Sequence, residues 1–543
     1  MNFFINSNFN QQNSGIEHAQ LKRAQLFRTH HEPFKLVFRE WNPRLHHFLN
    51  EAGVSDAETL GMFDFFQRAE QLGGDKILQV EDLDFGFGQD NIAVIDQASE
   101  KRYDIQLGQT LIARVRYFEE NEIEETRRVS VVELFDAFGN LYRVDHYDFR
   151  GFRSLAQWYT PDNKIGTEVW YDVNGKPVLE TFNKVDGSGQ LVKTGWRLTY
   201  DENGAVYVFS SIDELTKHFF DRINAKYWSD DKLNVFILDR AHLGDWALLE
   251  LERPAYTVLH LHNSQVGDVQ DVTHSVLNNF YEFGITRMNG YDAVVSATQK
   301  QTDDLIARFD PKCRLFTIPV GVIPDEVFKE ARVPMADRKP HSVLVTARVA
   351  PEKRIDKIIR AIAKARETVA DITFDLYGYV DHSDGDAAQN AIDQAAEECG
   401  IAEAFHQHGY AEDVASLHKQ YQVYALFSVM EGFNLSLMEA QSRGMVTVTT
   451  DVNYGPNELT VDGKNGYIVG YDDVDDFADR LVKLFTDDVR LQQMSDLTYA
   501  LSSRYSEASV WKAWRVLLDD AAAKPFRYVP DISQGLGDQR TDK

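Results

Sequence analysis

The sequence predicts an α/β protein with two parallel-sheet domains and an antiparallel β-meander inserted in the first. Three observations predict it. An apolar run, "YQVYALFS", a tight loop, a helix-like "LSLMEAQSRG" and a β-branched run, "MVTVTTDV", follow one another as a βαβ unit. Turn signals crowd the middle of the chain at short intervals, and helical spacing stops near residue 85 and returns near residue 213. At 543 residues the chain is too long for a single hydrophobic core.

Taken in order, "MNFFINSNF" reads as a strand, and "QQNSGIEHAQLKRAQLFRTH" as a polar glycine loop entering an amphipathic helix. From residue 86 to 212 the turns "DAFGN", "DFRGF", "TPDNK", "DVNGK", "DGSGQ" and "DENGA" separate β-rich runs such as "TEVWYDV" and "WRLTY", the pattern of consecutive hairpins. The aromatics of this insert serve the packing of its own sheet or an interaction surface. Helical period resumes in "SIDELTKHFFDRINAKYW". It is followed by strands "LNVFILD" and "YTVLHLH", a helix including "VLNNFYEFGITRMNGYD", a strand "AVVSAT" and the segment "LFTIPVGV". The first α/β domain is thus expected over residues 1–85 and 213–325, split by the insert at 86–212. The polar, proline-bearing "KEARVPMADRKPH" reads as a linker. The second α/β domain, 326–543, alternates strand and helix through "SVLVTARVAPEKRIDKIIRAIAKA", "ITFDLYGYV" and "AAQNAIDQAAEEC", and ends in a polar tail expected to fray.

The bulk numbers narrow the function. A formal net charge of −28 argues against a general nucleic-acid binder. Two cysteines, Cys313 and Cys399, support neither a disulfide framework nor a thiolate metal site and read as buried small apolar residues. No apolar stretch reaches the ~18 residues of a membrane span, and the first residues lack the order of a signal peptide, so a cytoplasmic protein, at most peripheral to a membrane, is expected.

In doubly wound sheets ligands sit beyond the carboxyl ends of strands, where helix N-termini favour anions. "EGFNLSLMEA" meets that need: Gly432 permits close backbone approach, and the amides near Leu435 and Ser436 could meet a phosphate. Glu431 and Glu439 suit the hydroxyl pairs of a ribose and of a sugar ring, although Glu439 also reads as a solvated helix residue. "ARVAPEKRID" places Arg348 and Lys353 in a loop from which two cations can reach a diphosphate. The "DFG" at Asp84–Gly86 lacks every companion motif of a kinase. "DGD" at Asp384–Asp386 lies in a turn, and no GxGxxG follows the first strand.

The stretches "TARVAPEKRID", "SVMEGFNLSLMEAQSRG" and "DVNYGPNELTVDGKNGYIV" resemble the C-terminal domain of family 4 retaining glycosyltransferases with the GT-B fold, marked by two glutamates eight positions apart. With "NSGIEHAQLKR" and the insert, the chain resembles the subgroup of poly(glycerol-phosphate) and poly(ribitol-phosphate) glycosyltransferases of wall teichoic acid and of glycosyltransferases of serine-rich surface proteins. The resemblance implies that Arg348 and Lys353 hold the diphosphate, Glu439 the ribose and Glu431 the transferred sugar, while Gly15 lets donor or acceptor approach. It places a histidine beside that sugar: His262 is the better match, His260 is held in reserve, and Gln265 stands where some members carry a second histidine. It implies transfer of glucose or N-acetylglucosamine from a UDP-sugar, with retention and without a metal or other cofactor. The departing phosphate would take the acceptor proton on the same face. The preferred acceptor is a teichoic-acid polymer and the alternative is Ser/Thr of a serine-rich protein. A third reading is a scaffolding or acceptor-binding subunit, and a homo-oligomer or a homologous partner subunit is expected.

Overall fold

The computed structural model describes residues 1–70, 72–74, 76–118, 127–199 and 204–527. The tail expected to fray and most of the "DENGA" turn lie outside the described residues. The chain divides into two compact units: Met1–Asn13 with Pro33–Ala255 and the stretch from Phe526, and Ser14–Glu32 with Tyr256–Pro525.

In the first unit, strand Asn2–Asn6 lies between Phe34–Phe38 and Val235–Leu238, and Phe34–Phe38 in turn pairs with Thr59–Gly61, all parallel. These strands are apolar almost throughout, as parallel strands covered on both faces must be. The insert is a ten-stranded antiparallel sheet running from Ile92–Gln97 to Tyr207–Phe209, in which every strand pairs with its neighbour in sequence. One face is closed by Trp170 and Trp196, which pack with Phe63 of the helix Met62–Gln67. Tyr142, Trp158 and Phe182 stay exposed, so the aromatics of the insert are divided between packing and surface.

Polar groups fasten this sheet to the parallel strands. Arg150, at a hairpin turn, forms ion pairs with Asp64 at 2.6 Å and Asp148 at 2.7 Å. Buried His46 bridges Asp56 at 2.7 Å and Asp64 at 3.1 Å. Burial alone would lower the His46 pKa, but the bonds to Asp56 and Asp64 outweigh it and raise the ring to about 9. A histidine whose folded pKa lies above its unfolded one stabilises fully below the unfolded value, near 6.5, and loses that contribution as pH rises through about 9. Thermal unfolding should therefore show stability falling across that window, by at most about 3 kcal/mol. The slope should flatten in His46→Gln; an equal slope in the variant would exclude His46 as its source.

In the second unit, a six-stranded parallel sheet takes the order Phe405–His408, Thr373–Tyr377, Ser342–Thr346, Val423–Leu426, Val446–Thr450, Gly466–Val469. The strand order reverses direction beside Ser342–Thr346, which opens the ligand crevice of such sheets at its carboxyl end. Strands Tyr256–His260, Ala293–Ser296 and Arg314–Thr317 pair in parallel in this unit as well. The helix expected around residues 276–292 is confined to Glu282–Thr286, because the asparagines and glycines on either side favour turns over helix. The expected linker is held in place: buried Arg338 donates to the carbonyls of Val333, His418, Tyr421 and Arg443. Cys313 and Cys399 are free and half-buried, not fully buried as the sequence suggested; Cys313 lies just before strand Arg314–Thr317 and Cys399 is the last residue of helix Ala387–Cys399, where cover is partial. No helix of the described residues is long and apolar enough to cross a membrane.

Candidate active site

Glu431 lies in the loop between strand Val423–Leu426 and helix Leu435–Ser442, so it stands outside the helix that carries Glu439. Its carboxylate is 91–92% enclosed and takes two partners on one oxygen: the Lys353 ammonium at 2.7 Å and the Ser428 hydroxyl at 2.7 Å. An ammonium–carboxylate pair of this length, with the carboxylate buried and the ammonium partly so, is a charge-assisted bond shielded from water. Lys353 is presented by a single 3-10 turn, Pro351–Lys353, that follows strand Ser342–Thr346. Arg348, from the same loop, pairs with Glu352 at 2.6 Å and with Asp381. Both cations proposed for a diphosphate are thus held by carboxylates.

The helix N-terminus is shaped by Asn434, whose left-handed backbone (φ 76°) is a conformation asparagine tolerates. Its side chain accepts from the Leu437 amide at 2.9 Å. That leaves the amides of Leu435 and Ser436 without an acceptor among the described residues. Gly432 is explained by crowding: an added Cβ would stand 2.1 Å from the His262 carbonyl oxygen and 2.8 Å from Asn263 Cα. The close approach that Gly432 permits is therefore to the turn after strand Tyr256–His260, whose main chain at His262 and Asn263 lies against it.

His262 is half-buried; its amide donates to the Tyr281 hydroxyl at 3.2 Å, and its ring lies 4.3 Å from that of His260. His260 is enclosed, as its apolar neighbours suggested. Gln265 is a structural link: it donates to the Tyr454 hydroxyl at 2.8 Å and accepts from Gln301 at 3.1 Å.

Glu439 meets a residue that the sequence reading missed. Lys22, on helix Gly15–Thr29, pairs with it at 2.9 Å. Burial pushes the Glu439 carboxyl up, but the Lys22 charge and hydrogen bond outweigh burial and hold it below the usual range, so it is ionised at neutral pH. Its buried neighbour His418 is pushed down to about 4 by burial and stays neutral. The Gly15–Thr29 helix begins with a capping box of Ser14 and Glu17, a Ser-x-x-Glu spacing visible in the sequence. Its Ala19 joins the apolar cluster of Leu437, Met438 and Ala440. Phe27 packs edge-on against Trp511 and Trp514 of helix Glu507–Ala523. Gly15 opens this helix exposed to solvent, with nothing within 4 Å of the place a side chain would take. Asp386 precedes helix Ala387–Cys399 in a left-handed backbone (φ 64°) and its side chain pairs with His382, as expected of a turn residue.

Residues 328–500 match the family described as glycosyl transferases group 1, and residues 95–220 match the GtfB middle domain. The chain is 27% identical over 546 residues to the UDP-N-acetylglucosamine–peptide N-acetylglucosaminyltransferase GtfA subunit of Streptococcus gordonii, covering 95% of this chain and 99% of that protein. It is 22% identical over 480 residues to the poly(ribitol-phosphate) alpha-N-acetylglucosaminyltransferase of Staphylococcus aureus, covering 86% and 88%. In structure it is similar to the pneumococcal O-GlcNAc transferase GtfA solved with UDP and GlcNAc, with a TM-score of 0.79, 21% identity and coverage of 96% and 99%. The glutamate pair, the loop cations and the open helix amides lie within the matched group 1 region, and the GT-B fold expected from the sequence is the fold found. The chain therefore carries a group 1 glycosyltransferase domain on a GT-B fold.

Proposed function

We propose that this protein is a retaining transferase that moves N-acetylglucosamine from UDP-N-acetylglucosamine to Ser/Thr hydroxyls of a serine-rich protein. The near full-length likeness to a peptide N-acetylglucosaminyltransferase subunit carries the choice of acceptor. The charge of −28 agrees with it, since a polyanionic polymer would be repelled without a basic track. Transfer to a teichoic-acid polymer is the second reading, favoured by the likeness to the Staphylococcus aureus enzyme.

In this reading the paired carboxylates hold the places of substrate groups. A diphosphate competes for Lys353 and Arg348, and each cation it takes releases a carboxylate. Glu431, once released, is free to accept from hydroxyls of the transferred sugar, and Glu439 accepts from the ribose. As the bond to the sugar breaks, negative charge grows on the diphosphate, where Lys353, Arg348 and the amides of Leu435 and Ser436 stabilise the transition state more than the ground state. His262 faces the transferred sugar, and Gly15 leaves room for the substrate to approach the helix start. The departing phosphate accepts the acceptor proton on the same face, so no protein nucleophile is required. Presence of both glutamates and both cations supports an active subunit over a scaffold. The match to the GtfB middle domain supports the ten-stranded sheet as the surface for a homologous partner subunit or for further copies of the chain.

The test offers UDP-N-acetylglucosamine and UDP-glucose separately, in chelator, with a serine-rich peptide or a polyglycerol-phosphate polymer. Transfer from UDP-N-acetylglucosamine to the peptide is expected. Transfer to the polymer alone replaces the first reading with the second, and transfer to neither, even with a homologous partner present, removes both.

A further inference from the structure

Lys22 lies two turns into helix Gly15–Thr29, and its ammonium stands 2.9 Å from one carboxylate oxygen of Glu439. The next residue, Arg23, meets His260 instead. An ammonium carries three N–H donors. Among the described residues Glu439 is the one hydrogen-bonding partner of Lys22, which leaves two N–H groups for other acceptors.

The pair is reachable from solvent: 24% of the Lys22 side chain and 32% of the Glu439 side chain are exposed. Burial nevertheless pushes the Glu439 carboxyl up before Lys22 brings it down, so protein crowds this group on most sides. A carboxylate both crowded and reachable lines a recess. His18, one turn before Lys22 and on the same face of the helix, has the same character. It is exposed, yet burial pushes its ring down, against the pull of Glu439 and with the push of Lys22, and it is neutral at pH 7. Fastening two helices is the other use of such a pair, and here it is not needed. Ala19 already joins Leu437, Met438 and Ala440, Phe27 already packs on Trp511 and Trp514, and a partly exposed ion pair adds little to stability.

A ribose hydroxyl is a donor and an acceptor at once. When it donates to Glu439, its oxygen keeps lone pairs that a second group can fill. An ammonium bound to the same carboxylate stands beside that hydroxyl with two donors to spare. We propose that Lys22 is a donor-binding residue: it donates to the oxygen of a ribose hydroxyl whose proton goes to Glu439, and the two side chains together select a ribonucleotide. The inference rests on the proposed role of Glu439 at the ribose. Lys353 and Arg348 leave their carboxylates for the diphosphate, whereas Lys22 stays on its own.

Calorimetric titration of the full chain with UDP, 2′-deoxy-UDP and 3′-deoxy-UDP tests this without turnover. The parent protein is expected to bind UDP about 10-fold or more tighter than at least one deoxy nucleotide. Lys22→Met should weaken UDP by about 10- to 100-fold, the range for one hydrogen bond to a charged group, and weaken that deoxy nucleotide far less. Glu439→Gln should weaken UDP as well. The deciding comparison is Lys22→Met on the Glu439→Gln background: a lysine that touches the ribose weakens UDP again, whereas one that only steadies Glu439 has nothing left to lose. Lys22→Gln, which keeps a donor without the charge, should fall between the parent protein and Lys22→Met, and replaces it if Lys22→Met does not fold. Equal affinity of the parent protein for all three nucleotides, undiminished UDP binding in folded Lys22→Met, or no further loss on the Glu439→Gln background overturns the proposal. A parent protein that binds no UDP overturns it together with the proposed function, while a loss in Glu439→Gln without one in Lys22→Met overturns it alone.

Discussion

Lys353→Ala should lower kcat for sugar transfer by about 10²–10³, the usual cost of removing one group that stabilises a developing oxyanion. Lys353 lies 2.7 Å from Glu431, which is 8% exposed, so the substitution has a second effect. Among the described residues the carboxylate keeps only the Ser428 hydroxyl as a side-chain hydrogen-bond partner, and a buried charge deprived of its counter-ion destabilises the fold by about 3–5 kcal/mol when fully enclosed, less here because Lys353 is partly open. The double variant Lys353→Ala/Glu431→Gln separates the two effects: it should recover stability relative to Lys353→Ala while remaining as inactive. Thermal unfolding and single-turnover transfer on the four proteins of this cycle give the coupling directly. Transfer above one-tenth of the parent rate in folded Lys353→Ala would remove Lys353 from the mechanism.

Gly432→Ala is expected to damage fold and chemistry together. The added Cβ would come within 2.1 Å of a carbonyl oxygen and 2.8 Å of a Cα, both main-chain atoms that no rotamer change can move aside. The turn holding His262 must shift, at a cost of about 1–3 kcal/mol for overpacking, and a shift of about 1 Å in a catalytic group lowers the rate about 100-fold. Gly15→Ala is the informative contrast. Nothing within the protein crowds that position, so stability should hold or rise slightly through reduced freedom of the unfolded chain. Loss of activity there would come from the substrate, as its proposed place beside the substrate requires. Equal stability of Gly432→Ala and the parent protein, with equal activity, would contradict the packing described for the His262 turn.

The fold was legible where its causes are local. Turn residues recurring between short β-rich runs gave away the antiparallel insert, and the "EGFNLSLMEA" stretch gave away a loop opening onto a helix N-terminus. The glutamates and loop cations stood out because their chemistry is carried by short motifs. Their partners did not: Lys22 reaches Glu439 and Arg23 reaches His260 across hundreds of residues, and no periodicity encodes such a pairing. Gly432 was read as a place for close approach, yet the backbone that approaches it belongs to a distant strand end. His46 was invisible for the same reason, since its significance lies in two aspartates placed around it by the fold.

The two kinds of sheet in the first unit differ in what they ask of the chain as it is made. Each strand of the ten-stranded sheet pairs with the one just before it, so every closure is local in sequence and can follow synthesis of the next strand. Strand Asn2–Asn6, by contrast, completes its pairing only with Val235–Leu238, on the far side of the entire insert. A ribosome that has released residue 210 has therefore released a sheet able to condense by itself, while the first strand still has one edge unpaired. The sheet does not itself bring its ends together, since its first and last strands, Ile92–Gln97 and Tyr207–Phe209, lie on opposite edges. The order of events in assembly then departs from the order in sequence, with the middle of the unit ahead of its beginning.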